Sequence, residues 1–353
     1  FLLGSLSVFS FQPFNLFFFN FLIIPFLFLI LSYVNKKSKN IYRKKPYLKN
    51  LFFVGFFFGI GFFLAGTHWI SYSLTFDESF KYLIPISLIL LPSFLAIFLG
   101  LVTLIIGPYL KNDLSSILIF SVALSLENYI RSKILTGFPW NLWSYSISQY
   151  TEMIQILNFI GIFAFNLIVV TVFCSPLLIF FKNFFINRLI FVLFFLLVLF
   201  NHIFGSIILN KNEEKITFIN NHQENYKIIS PNFKLNYELS KNDIEVLIKK
   251  LIKFSEPEKN KETIFIWPEG IFTGYNLSDI IYFKKLIKAN FSDKHKIIFG
   301  VNSFNKEKNE TFNSMVLIDN EFKILNKYDK KKLVPFGEFL PFENILKKIG
   351  LRS

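Results

Sequence analysis

Five long stretches without a charged residue constrain this 353-residue chain more than any other feature of its sequence. They cover residues 14–34, 51–76, 82–110, 153–181 and 189–210. A helix rises 1.5 Å per residue, so about 20 apolar residues cross the roughly 30 Å hydrocarbon core of a bilayer. Each stretch is long enough to do this. The pattern therefore predicts a polytopic α-helical membrane bundle.

Two weaker segments extend this bundle. Residues 114–130 are apolar up to Glu127 and predict a sixth span, while residues 1–12 resemble the end of a span whose start is missing. The chain begins at Phe1 without a basic region before its first apolar run, which argues against a cleaved signal peptide. We therefore expect about seven spans over residues 1–210, with the first one truncated.

The distribution of basic residues predicts the orientation of the bundle. The loop over residues 35–50 contains seven Lys or Arg, and such loops stay in the cytoplasm. If the segment 114–130 crosses the bilayer, the chain after residue 210 emerges on the outer face; if it does not cross, everything after it inverts. The basic loop has only two tyrosines among its cations, so nucleic acid is not an expected partner.

The second part of the chain has a different composition. Residues 211–353 carry 25 Lys/Arg and 19 Asp/Glu, whereas residues 1–210 carry 13 and 5. Short β-branched and aromatic runs predict strands at 215–219, 226–230, 263–267, 296–301 and 315–318. Ser240 with Asp243 resembles a capping box before a helix, and residues 278–290 predict another helix. Alternating strands and helices indicate a layered α/β domain over residues 211–353.

An uncharged segment from Ile134 to Thr151 differs from the spans because it is rich in Trp, Tyr and polar residues. Such a composition suits the boundary between membrane and water. Pro139 interrupts any helix here, and Trp140 follows it directly. The segment fits either an aromatic belt or the floor of a site that receives lipid tails.

Two motifs in the second part offer candidate chemistry. An apolar run over residues 263–267 ends in Pro268-Glu269, and the carboxyl ends of strands are where α/β folds place reactive groups. Glu269 is therefore a candidate general base, although an acid here could also cap the next turn or face solvent. The lysine cluster at 330–332 precedes a Pro/Gly turn that ends in Glu338, and its alternative interpretation is a solvated basic patch.

Other kinds of site find little support. Cys174 is the only cysteine and stands in an apolar run, which excludes an internal disulfide and a CxxC motif. The four histidines are scattered without metal-ligand spacing, and no Gly-rich phosphate loop is present. We therefore expect neither a metal nor a cofactor.

Taken together, several motifs resemble one family. They are WPEG at 267–270, YDKKKLVPFGEFLPFE at 328–343, TGFPW at 136–140, SPN at 230–232 and FNS at 312–314. With the N-terminal spans, they are similar in type and order to apolipoprotein N-acyltransferases, which join a membrane bundle to a nitrilase-like domain. The resemblance implies that residues 211–353 form an incomplete αββα sandwich.

The resemblance also implies a reaction and its residues. A cysteine thiolate takes an acyl chain from a phospholipid donor, and the amino terminus of a diacylglyceryl apolipoprotein attacks the resulting thioester. Glu269 matches the general base, Lys330 the oxyanion-stabilising ammonium and Glu338 a carboxylate that orients this lysine. Pro139 and Trp140 match the substrate-binding segment. The expected location is the bacterial inner membrane, with the catalytic domain on the periplasmic side.

The nucleophile is the main departure from the family pattern. In nitrilase-like proteins it follows the lysine by several dozen residues, but this chain ends at Ser353, 23 residues after Lys330. We therefore expect a fragment lacking both ends that forms no thioester, and we interpret Cys174 as a packing residue. Two alternatives stay open: a membrane-tethered amidase or carbon–nitrogen hydrolase with the same acid and lysine, and a non-enzymatic polytopic transporter or scaffold.

Overall fold

A computed structural model describes most of the chain, and its residues form two compact units, Phe1–Lys215 and Ile216–Ser353. The described residues are 1–41, 46–75, 78–134, 137–182, 184–219, 225–233, 239–272, 274–305, 309–334 and 339. The first unit is helical, and the second contains a mixed β-sheet. A helical membrane part is thus followed by a sheet domain.

The described residues of the first unit form α1 to α8, with 3₁₀ helices between several of them, and α8 continues a few residues past the end of this unit. These helices are α1 (Leu2–Leu6), α2 (Asn20–Ile41), α3 (Pro46–Thr67), α4 (Ile84–Ile106), α5 (Leu114–Arg131), α6 (Thr151–Ile154), α7 (Leu157–Cys174) and α8 (Phe184–Ile219). Helix α3 packs closely on α4 because Gly55 and Gly59 lie one turn apart: a Cβ on Gly59 would lie 2.9 Å from Ala96 Cα. Small residues at this spacing let membrane helices approach.

In the part of the chain that the structure describes, five helical segments are long and apolar enough to cross a bilayer, which confirms the five predicted spans. They are Phe17–Lys37, Tyr47–Thr75, Phe80–Tyr109, Leu157–Phe180 and Phe185–Asn212. The chain is therefore a multi-pass membrane protein. The weaker segment 114–130 forms helix α5, whose Asp113 N-cap accepts a hydrogen bond from the Ser116 backbone N–H at 2.8 Å. Among the described helices it is not one of the five, and its buried face carries polar residues.

The described residues of the second unit include α9 (Lys241–Ser255), α10 (Leu277–Ile280) and α11 (Lys284–Asn290). The predicted capping box before α9 is confirmed: Ser240 Oγ accepts a bond from the Asp243 N–H, and Asp243 Oδ2 accepts one from the Ser240 N–H at 2.8 Å. Hydrogen bonds from Ser240 hold the pKa of the Asp243 carboxyl below its usual value. The predicted helix over 278–290 is split by a 3₁₀ turn at Ile281–Phe283.

Among the described residues, five strands form one sheet in chain order, and the site depends on where they end. They are β1 (Asn225–Ile228), β2 (Thr263–Ile266), β3 (His295–Asn305), β4 (Glu310–Asp319) and β5 (Ile324–Asp329). Strands β1 to β3 are parallel, and β3 to β5 are antiparallel. Phe299, Val316 and Ile318 belong to the core that this sheet shares with α9 and α11.

Two strand predictions differ from the structure. Residues 215–219 do not form a strand but the last turns of α8, because continuing a helix requires no new nucleation and overrides a weak preference for β-structure. Strand β5 was not predicted, since its residues are mostly exposed and show no alternation of apolar and polar side chains. Its partner β4 supplies the pairing that sequence periodicity does not reveal.

Candidate active site

Glu269 lies just beyond the carboxyl end of β2. The strand is held there by Trp267, whose backbone N–H donates to Ile298 O at 2.8 Å and whose indole donates to Ser255 Oγ at 3.0 Å. The chain then turns at Gly270, which has a φ of 74° that favours glycine. A buried tryptophan thus fixes the backbone, while the carboxylate two residues later is exposed.

A glycine in β3 gives Glu269 its place over the sheet. A Cβ on Gly300 would lie 3.2 Å from both Cα and Cγ of Glu269, which is closer than ordinary van der Waals contact. Gly300 is half-buried and lies between the buried side chains of Phe299 and Val301 in this strand. Glycine inside a strand often marks such a close approach.

Lys330 follows β5, and two sets of hydrogen bonds hold the chain next to it. Its backbone N–H donates to Asn313 O at 2.8 Å, which continues the pairing between β4 and β5. Just before it, Asp329 Oδ1 accepts a bond from Ser314 Oγ at 2.6 Å, and Ser314 Oγ lies 2.6 Å from Ser303 Oγ. The buried hydroxyl pair therefore anchors the end of β5 to the inner strands of the sheet.

These elements bring the two predicted residues together. Lys330 Nζ lies 3.8 Å from Glu269 Oε1, and Asn313 Nδ2 donates to the same oxygen at 3.3 Å. The lysine side chain is 34% exposed and the glutamate 69%. At this exposure the ion pair contributes little to the stability of the fold. What matters for chemistry is that it places an acid and an ammonium side by side.

This arrangement suits nucleophilic acyl chemistry. A carboxylate at a strand end can take a proton from a nucleophile, and an ammonium beside it can stabilise negative charge on a former carbonyl oxygen. Within the described part of the chain, both contacts of Glu269 use Oε1.

Sequence reasoning assigned no role to two residues that build this site. Asn313 bridges acid and lysine, through its side chain to Glu269 and through its carbonyl to Lys330. The only indication of Asn313 in the sequence was its place in the FNS motif at 312–314. Gly300 had a weaker signal, a lone glycine inside a predicted apolar strand.

The other predicted site residues are Glu338, Pro139 and Trp140. Glu338 is outside the residues that the structure describes. Pro139 and Trp140 belong to the first unit, and both are exposed. Cys174, interpreted from sequence as a packing residue, is fully buried at the end of α7, as expected.

The aromatic segment of the first unit has two distinct parts. Trp140 is 47% exposed, and its ring centroid lies 5.4 Å from that of Trp69. Trp143 is 2% exposed and stacks on Phe62 with centroids 4.7 Å apart. Trp143 therefore belongs to the protein core instead of a boundary belt. Gly137 before them has a φ of 96°, and a Cβ there would lie 2.0 Å from Ser132 O.

Comparisons with known proteins point to one family. A family model described as the apolipoprotein N-acyltransferase N-terminal domain matches residues 3–175. Apolipoprotein N-acyltransferases from Rickettsia prowazekii, Brucella melitensis and Rhodopseudomonas palustris are 30%, 27% and 26% identical, and the alignments cover 98%, 100% and 99% of this chain. They cover 66%, 67% and 66% of those relatives, so the chain spans about two thirds of their length. Since alignments with members of one family cover almost the whole chain, the chain belongs to the apolipoprotein N-acyltransferase family.

Proposed function

We propose that this protein transfers an acyl chain from a phospholipid to the N-terminal amine of a diacylglyceryl-cysteine apolipoprotein. The name of its relatives supports this reaction class. The observation that carries the proposal is the approach of Lys330 Nζ to within 3.8 Å of Glu269 Oε1 at the carboxyl end of β2. Lipid substrates also account for the membrane part, because donor and acceptor both stay in the bilayer.

In the first half-reaction, Glu269 takes the proton of a cysteine thiol, and the thiolate attacks the ester carbonyl of the phospholipid. Lys330 stabilises the oxyanion that forms on the carbonyl oxygen. The carbon–oxygen bond then breaks, the lysophospholipid leaves with the proton held by Glu269, and a thioester stays behind. Cys174 does not suit the role of nucleophile because it is fully buried in α7.

In the second half-reaction, the apolipoprotein amine attacks the thioester carbonyl. A carbon–nitrogen bond forms, the carbon–sulfur bond breaks, and Glu269 accepts a proton from the amine and returns one to the thiolate. Asn313 keeps Glu269 Oε1 in place during both transfers through its bond at 3.3 Å. Glu338 orients Lys330 in this scheme, and Pro139 with Trp140 binds the acyl donor.

The second unit is proposed to be part of a nitrilase-like αββα sandwich. One face of its sheet contributes to the core, whereas the alternate residues Ile228, Met315 and Tyr328 stay exposed, at 75%, 52% and 52%, among the described residues. A sheet with two apolar faces needs a second layer. A structure of the complete gene product with this face still open to solvent would contradict the proposal.

We also propose an inner-membrane location with the second unit in the periplasm. With the basic loop at 35–50 in the cytoplasm, this orientation requires the 18-residue helix α5 to cross the bilayer in addition to the five longer spans. Cys174 is the single cysteine of this 353-residue chain and is buried, so a cysteine added to this chain is the one that reacts. In spheroplasts, a Tyr282→Cys variant is expected to react with a membrane-impermeant maleimide, and a Lys49→Cys variant only after permeabilisation. The reverse labelling pattern would place the second unit in the cytoplasm.

A direct assay separates acyl transfer from its alternatives. The complete gene product, in vesicles, is given a phospholipid with a labelled acyl chain and a diacylglyceryl-cysteine peptide, and products are identified by mass spectrometry. We expect the labelled amide of the peptide as the main product. Free fatty acid as the sole product would identify a hydrolase, and no conversion of either substrate would favour a transporter or scaffold.

A further inference from the structure

Arg131, the last residue of α5, is almost fully buried in the helical unit, and its guanidinium is the centre of a hydrogen-bonded cluster. Its Nε lies 3.1 Å from Glu127 Oε1, and its Nη2 donates to Asn128 Oδ1 at 2.5 Å. Its Nη1 donates to the carbonyls of Phe138 and Trp140, at 2.6 and 3.0 Å. Four of its five N–H groups are therefore used.

The surroundings of Arg131 make this cluster costly to leave incomplete. The side chains of Arg131 and Glu127 are each 2% exposed, and the guanidinium lies 5.1 Å from the centre of the Phe63 ring. A charge in such a site must be paired and hydrogen-bonded. Two of its hydrogen-bond partners are backbone carbonyls of a segment without helix or strand. The buried side chain of Arg131 therefore determines the path of the backbone in that segment.

The segment held in this way carries the exposed ring of Trp140. Because Arg131 binds the carbonyls on both sides of Pro139, it fixes the backbone directly before and at Trp140. Gly137 begins the segment in a conformation that favours glycine, and Asn141 ends it with a φ of 56°. The segment has no regular secondary structure of its own, so these bonds take the place of a helix or a strand.

We propose that Arg131 is a positioning residue for the acyl donor, acting through Trp140. This inference rests on the proposed function, in which Trp140 contacts the phospholipid acyl chain. The guanidinium has a planar fork that reaches two carbonyls, a carboxylate and an amide at once. A lysine ammonium is a single point on a flexible stem and does not reach all four. Specificity for the donor therefore depends on arginine, and not only on positive charge, at this position.

Two variants test the positioning role without leaving a buried charge alone. Arg131→Lys keeps a cation for Glu127 but loses the fork, and the double variant Glu127→Leu with Arg131→Met removes both charges. A spin label on a Trp140→Cys variant of this 353-residue chain reports the motion of the segment, since Cys174 is its only other cysteine and is buried. We expect the label to be immobile with Arg131 and mobile in both variants. A label that stays immobile in both would overturn the proposal.

Kinetics of the complete gene product then separate the inference from the function on which it rests. Arg131→Lys is expected to raise KM for the phospholipid about tenfold, with kcat changed by less than about threefold. Lys133→Met, which removes an exposed cation two residues away, is the matched control and is expected to change neither value. If Trp140→Ala leaves the donor KM unchanged, the role of Trp140 in the proposed function is wrong. If Trp140→Ala raises KM but Arg131→Lys does not, only the role of Arg131 is overturned.

Discussion

Replacement of Glu269 by Gln is expected to lower kcat/KM for acyl transfer by about 10² to 10⁴-fold. The amide has the shape of the carboxylate, and its oxygen still accepts the bond from Asn313 Nδ2. It has no basic oxygen to take a proton from a thiol or an amine. The loss is therefore expected in the chemical step, measured as single-turnover acylation of the complete gene product by labelled phospholipid, with membrane insertion unchanged.

The chain offers a matched control for this variant. Glu321 forms an exposed ion pair with Lys288 at 2.6 Å in the same unit, outside the site. Glu321→Gln removes the same charge from a comparable pair and is expected to leave turnover within about twofold of the original. Near-normal acylation by the Glu269→Gln variant would show that another group acts as the base.

Replacement of Lys330 by Met is expected to lower kcat by about 10² to 10³-fold, with a smaller effect on phospholipid binding. The methionine keeps the apolar stem but removes the ammonium that stabilises the oxyanion. This stabilisation exists mainly in the transition state, so kcat and kcat/KM should fall together. Steady-state kinetics with a diacylglyceryl-cysteine peptide as acceptor measure both values.

Two further variants identify the origin of this effect. Lys288→Met, the other half of the exposed control pair, is expected to change turnover by less than about twofold. Lys330→Arg keeps the positive charge but has a bulkier, planar head group. Partial activity of this variant would show that the charge contributes more to catalysis than the shape of the lysine head group. A Lys330→Met variant that loses only substrate affinity, with kcat unchanged, would assign the lysine to binding instead of oxyanion stabilisation.

The double variant Glu269→Gln with Lys330→Met addresses whether the two side chains act as one unit. They lie 3.8 Å apart and share the support of Asn313. Residues in such contact are not additive, because each variant already disables the arrangement that the other needs. The double variant is therefore expected to be little slower than the slower single variant.

Local sequence determined the elements that depend on composition and short-range bonding. The five spans follow from the length of the uncharged runs. The free energy of moving a helix into hydrocarbon depends mainly on its own residues and little on the residues that pack against it. The capping box at Ser240 and Asp243 is equally local, because its bonds join residues three positions apart. The position of Glu269 after a buried strand could also be predicted, since the apolar run ends directly before it.

Tertiary structure alone decided the contacts between residues far apart in sequence. Strand β5 exists because β4 pairs with it, and this pairing brings Lys330 to Glu269 across 60 intervening residues. Arg131 is a charged residue at the end of a helix, yet it is buried because carbonyls and a carboxylate satisfy it. A single sequence gives the residue types but not the hydrogen-bond partner of each polar group. In the folded chain that partner decides whether a charged side chain can be buried.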